Sequence, residues 1–221
     1  MKKKTVALLL ALTLVVGVVA GGTIAWLVDQ TGTVTNTFTV GDVNVELTET
    51  DINNDGEKTF QLIPGTSYAK DPKVTIKANS VACYLFVRFD EVNNPENYLE
   101  YVSTLTTTNG WTKLAGAKDT EGKDVNVWYR EVSSSTTQDQ SWELLAKLDA
   151  ATSNNTVKVR ENVVKHGTTT TGTTNVAMPD SDKQPQLVYQ AAAVQKDNLT
   201  EVEAWNQVAA DMGCGTIAII G

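Results

Sequence analysis

The stretch GGTIAWLVDQTGTVTNTFTVGDVNVELTE, residues 21–49, joins two kinds of sequence. Its first eight residues close an uncharged run from Val6 to Val28 that follows Lys2, Lys3 and Lys4. Its second half alternates. Val34, Phe38 and Val40 share one face at period two, and so do Val43, Val45 and Leu47, with Asn44, Glu46 and Thr48 on the other side. The fold therefore turns on whether the apolar run stays attached.

As one segment, Val6–Val28 is long enough to span a bilayer, which needs about 20 residues. As a leader, Lys2–Lys4 form the basic head, Val6–Ala20 the apolar core, and Gly21-Gly22 the break before a cut. Thr23-Ile24-Ala25 places small side chains where signal peptidase requires them, so cleavage is expected between Ala25 and Trp26. Paired glycines weaken a helix by roughly 1 kcal/mol each, and strand-like alternation follows at once; both favour cutting. This predicts a signal peptide over 1–25 and a single domain over 26–221. The alternative is an uncleaved anchor.

The formal net charge is −8; without residues 1–25, Lys plus Arg fall from 18 to 15 against 26 acidic residues, giving −11. Such a surface repels phosphate backbones and anionic lipid heads, so no nucleic-acid partner is expected, and membrane contact only through the leader. Export permits a disulfide between Cys83 and Cys214, though Cys83 also reads as a small buried hydrophobe.

Beyond the leader the chain reads as short strands separated by turn residues. Candidate strands are Lys58–Ile63, ended by Pro64-Gly65, then Val74–Ala78, Val157–Val159, Leu187–Val194 and the terminal Gly215–Gly221. Val81–Phe89 is nearly continuously apolar, as in a strand covered on both faces. Trp111–Leu114 and Val125–Val132 are expected to pair across Lys118–Asp124. Trp142–Leu148 fits a strand or a helical turn equally well. Asn94-Pro95 predicts a short helix through Tyr101. Thr200-Glu-Val-Glu203 is a capping box; behind it Val202, Trp205, Ala209 and Met212 line one helix face, with Gly213 at its end. The sum predicts an all-β fold, a jelly-roll or immunoglobulin-like β-sandwich with one or two short helices.

Catalytic motifs are missing. The one histidine, His166, lies in a Thr/Gly-rich stretch, and neither HExxH nor GxSxG occurs. Asp51-Ile-Asn53-Asn-Asp55-Gly56 matches the first half of a calcium loop, but the twelfth position is Leu62, and Asp-Gly is also a favoured turn pair. Calcium at Asp51, Asn53 and Asp55 and a plain turn are both open readings; no other cofactor is indicated.

Gly21–Asp29 followed by Val34–Val43 resembles the start of the TasA/CalY (camelysin) family, secreted proteins of Gram-positive bacteria whose leaders are removed by the signal peptidase SipW. Ile63-Pro-Gly65, Lys70-Asp-Pro72, Cys83–Val87 and Ala193–Gln195 support the likeness, which is loose between about 100 and 185. The resemblance implies a non-enzymatic subunit of biofilm-matrix fibres, exported to the extracellular matrix or cell surface. It also implies self-association by donor-strand complementation. Trp26, Val34, Phe38 and Val40 would be the anchors of a donor strand over 26–40, which has no proline and few charges. Those residues could equally form the first strand of their own sandwich. Camelysin-type members are also classed as metallopeptidases; without a zinc constellation here that activity stands only as an alternative, beside an anchored surface adhesin.

Overall fold

Cys83–Val92 is the strand around which the fold is built, and the computed structural model shows why Cys83–Val87 and Phe89 within it are apolar. The structure describes residues 42–50, 59–148, 156–164 and 175–219. They belong to one unit, Gly41–Gly221. Ala25, Trp26, Val34, Phe38, Val40, Asp51, Asn53, Asp55 and His166 lie outside them.

In chain order the strands are β1 (Val45–Thr48), β2 (Ser67–Ala69), β3 (Lys73–Ile76), β4 (Cys83–Val92), β5 (Leu99–Glu100), β6 (Thr112–Lys113) and β7 (Val127–Val132). They continue with β8 (Gln140–Glu143), β9 (Thr156–Val159), β10 (Val163–Val164), β11 (Val176–Ala177) and β12 (Gln186–Gln195), and one helix, α1 (Glu201–Val208), follows. The main antiparallel sheet has the order β12-β4-β7-β6, and a second has the order β1-β3-β8. A smaller antiparallel sheet is ordered β2-β9-β5, and β10 and β11 form a short parallel pair. The chain is an all-β sandwich.

β4 is covered on both faces. Cys83, Leu85, Val87 and Phe89 pack with Val74 and Ile76 of β3 and with Leu144, filling the space between the two sheets. Tyr84 and Phe86, on the other face, pack beneath α1 against Ala204, Trp205, Ala209 and Met212. The alternation at period two thus feeds two cores, and both demand hydrophobes. Trp205 is fully buried, its ring 5.4 Å from that of Phe86.

The helix begins where its sequence directs. Glu203 N donates to Thr200 Oγ1 (3.3 Å), and Thr200 N donates to Glu203 Oε2 (2.7 Å). At the far end Arg88, reaching from β4, donates through Nη1 to the carbonyl of Met212 (2.6 Å), where a cation meets the negative end of the helix. Gly213 takes a φ of +63°, the left-handed backbone expected there.

Several expectations change. Asn94-Pro95 starts only a one-turn 3-10 helix, Pro95–Asn97, because Asn94 itself is left-handed and its side chain makes no cap bond. Thr59–Ile63 forms no strand; Phe60 instead rests on Tyr68 (4.9 Å between ring centres), whose hydroxyl donates to the Gln61 carbonyl. Gly215–Ile219 is not a strand either. The Asn206 amide clamps Ile217 by accepting from its N–H (2.7 Å) and donating to its carbonyl (2.8 Å). Trp142 falls in β8, which settles the open choice as a strand for its first residues. Cys83 and Cys214 are both free thiols, one in each core, on opposite faces of the main sheet.

Candidate functional site

One side of the sandwich is incompletely covered. Val43, Val45, Leu187, Tyr189, Ala191 and Ala193 all pack against the inter-sheet core, yet every one of them is only partly buried. These residues come from β1, from the segment leading into it, and from β12, two strands that lie across from each other on the same flank. Interior-facing side chains that still meet solvent mark a place where a further strand would fit.

A groove of about 860 Å³ opens at one end of this flank, where the end of β1 and the start of β12 meet the small sheet; Val43, Val45, Ala191 and Ala193 lie outside its lining. Leu47 and Glu49 at the end of β1 form one wall; Leu187, Val188 and Tyr189 of β12 form another; Leu62, Leu99, Val157 and Val159 close the floor with the small sheet. The lining is mostly aliphatic and aromatic, with Lys70 and Glu49 as a partly buried ion pair at 3.0 Å.

Among the described residues, two buried polar atoms in this lining have no hydrogen-bond partner: Glu49 Oε1 and the Tyr189 hydroxyl. Each leaves a cost of about 1–3 kcal/mol unless a ligand or a neighbouring chain supplies the partner. One needs a donor, and the other can donate or accept. A peptide group offers an N–H and a C=O together. Tyr189 stacks on Phe89, with ring centres 4.7 Å apart and planes 9° from parallel, so its hydroxyl is held in position. Burial pushes its phenol far above the ordinary tyrosine value, with Tyr101 and Glu49 adding to the rise, so it stays a neutral donor.

Both strands that border the groove are edges. Among the described residues β1 pairs with β3 alone and β12 with β4 alone. An edge strand presents backbone N–H and C=O groups that a further strand can satisfy. The sequence marked Leu187–Val194 as a strand, but its place at an edge escaped it. The signal that carries it is Ala191-Ala192-Ala193, three small residues of low strand propensity in a strand otherwise built for packing.

Elsewhere the described residues hold no group of three His, Cys, Asp or Glu side chains placed to bind a metal ion. No helix among them is long and apolar enough to cross a membrane. A shallower pocket beside Asn93, Asn94 and Lys183 holds no convergent set of reactive groups. On the opposite flank the Arg130 guanidinium lies between Trp142 (4.4 Å) and Trp111 (5.1 Å), and burial lowers its proton affinity. The two indoles stack on its cation, while its Nε and Nη1 are buried without a hydrogen-bond partner among the described residues. No protein family, curated protein or solved structure matches the chain.

Proposed function

We propose that the protein is a secreted structural subunit that assembles into extracellular fibres by β-strand addition between copies, as its resemblance to the TasA/CalY family implies. The observation that carries this reading is the open flank: two edge strands with half-covered interior side chains and, at one end of them, a groove of about 860 Å³ in which two buried polar atoms lack partners among the described residues. A strand laid there would complete the sandwich and satisfy those atoms at once. A donor strand over 26–40, freed by cleavage at Ala25–Trp26, has the composition for it: β-branched residues, Phe38 as an apolar anchor and no proline. Each subunit would give one strand and receive one, a head-to-tail contact that does not close and so grows a filament.

Negative-stain imaging and intact-mass measurement of one secreted sample test this reading. Filaments built of subunits that begin at Trp26 are expected. A chain that keeps residues 1–25, or that stays dispersed at high concentration, overturns it.

A further inference from the structure

Resting on that reading, we infer that the incoming strand adds to β12 rather than to β1, and that Ala191 and Ala193 are the residues that admit it. The backbone phase decides which groups each edge offers. Lys196 N donates to the Ala82 carbonyl (2.9 Å), in register with the β12–β4 ladder. Even-numbered residues of β12 therefore turn their backbone groups toward β4, and Leu187, Tyr189, Ala191, Ala193 and Gln195 turn theirs to the outer edge. On β1, Lys77 N donates to the Asn44 carbonyl (2.9 Å) in register with Val45 opposite Ile76, which leaves only Val45 and Leu47 facing outward. β12 thus offers five outward residues against two on β1, along a strand of ten with no charge and no proline.

Side-chain size points the same way. The first four of these outward-bonding residues, Leu187, Tyr189, Ala191 and Ala193, also pack their side chains against the inter-sheet core. Two of the four are alanine, so a strand laid beside them finds room for larger side chains of its own toward the core. The occupant is residues 26–40 of a second copy, whose alternating Val34, Phe38 and Val40 supply such side chains.

The discriminating variants are Ala191→Pro and Val45→Pro in the full secreted chain. Proline on an edge strand removes one outward N–H and blocks the approaching backbone, while the inner ladder keeps its bonds. Ala191→Pro is expected to remain folded and to raise the critical concentration for filaments by about tenfold or more; Val45→Pro is expected to assemble nearly as the unaltered chain does. Hydrogen exchange on the unaltered chain gives a second readout that does not depend on a variant's folding. The amides of Leu187, Tyr189, Ala191 and Ala193 should gain protection on polymerisation, and those of Val45 and Leu47 should not. Protection gained on β1 instead, or on neither edge, overturns the assignment while leaving fibre formation intact. Protection of the β12 amides already in the monomer overturns the intermolecular occupant in favour of the chain's own segment. Absence of filaments from the unaltered chain defeats the fibre reading itself.

Discussion

Trp205→Ala tests whether α1 is part of the fold's core or an appendage on it. Trp205 is fully buried and packs with Phe86, Tyr84 and Met212 beneath the main sheet. Truncating a buried aromatic to alanine removes its transfer energy and leaves a cavity, a loss of about 3–5 kcal/mol. For a chain of this size that lowers the melting temperature by roughly 6–20 °C. Trp205→Phe separates packing from hydrogen bonding. The indole Nε1 is buried without a partner among the described residues, so its removal relieves a polar cost while the ring contact with Phe86 survives. The phenylalanine variant should therefore lose less than about 2 kcal/mol. Thermal and urea unfolding followed by circular dichroism read both changes. A Trp205→Ala variant within about 1 kcal/mol of the unaltered chain would refute the claim that the helix closes a core.

Thr200→Ala breaks the capping box and should cost about 1 kcal/mol by the same melts, with Glu203→Ala costing a similar amount through its bond to the Thr200 amide. Burial pushes the Cys83 thiol from its ordinary 9.0 up to about 11. Because the folded value is raised, the stability contributed by the neutral thiol is full below pH 9 and is lost as pH rises through about 11; urea melts across that window should show the decline, and Cys83→Val should flatten it. Neither thiol should react with a disulfide reagent until the protein unfolds, since both cysteines are buried. Subunits that begin at Trp26 carry a formal charge of −11 and repel one another, so the critical concentration for filaments should fall as salt rises from low to physiological strength, as sedimentation would show.

The legible parts of the fold were those fixed by local chemistry. The nearly continuous hydrophobicity of Val81–Phe89, short and rich in aromatic and β-branched residues, correctly announced a strand covered on both faces. The box at Thr200–Glu203 placed the helix start to the residue. Trp111–Leu114 and Val125–Val132 pair as expected, with Lys118 and Asp124 bridging below a turn at which Gly122 is left-handed. Lys58–Ile63 and the C-terminal apolar run misled, since a strand also needs a partner edge, and alternation says nothing about whether one is in reach. Asn206 supplies in two side-chain bonds what a neighbouring strand would have given Ile217. The groove was the least legible feature. It is made of residues far apart in sequence, from Leu47 to Tyr189, and is defined by the strand that is not beside them.

Natural sandwiches guard their open edges with charge, short strands or proline, and that habit makes β12 informative. Among the described residues the two facing sheets have four outer edges: β1 and β8 on one, β12 and β6 on the other. β1 is four residues long and carries Glu46; β8 is also four and ends in Glu143; β6 has two residues, one of them Lys113. Each of these is too short or too charged to accept a neighbour readily. β12 runs for ten residues without a single guard, in a chain where one residue in five is charged. An unprotected edge of that length would make a solitary protein aggregate, and the net negative charge of the chain opposes indiscriminate pairing by keeping like copies apart. Repulsion at long range combined with a strong, sequence-selective edge at short range favours an uncharged strand that fits over an approach by the whole acidic body.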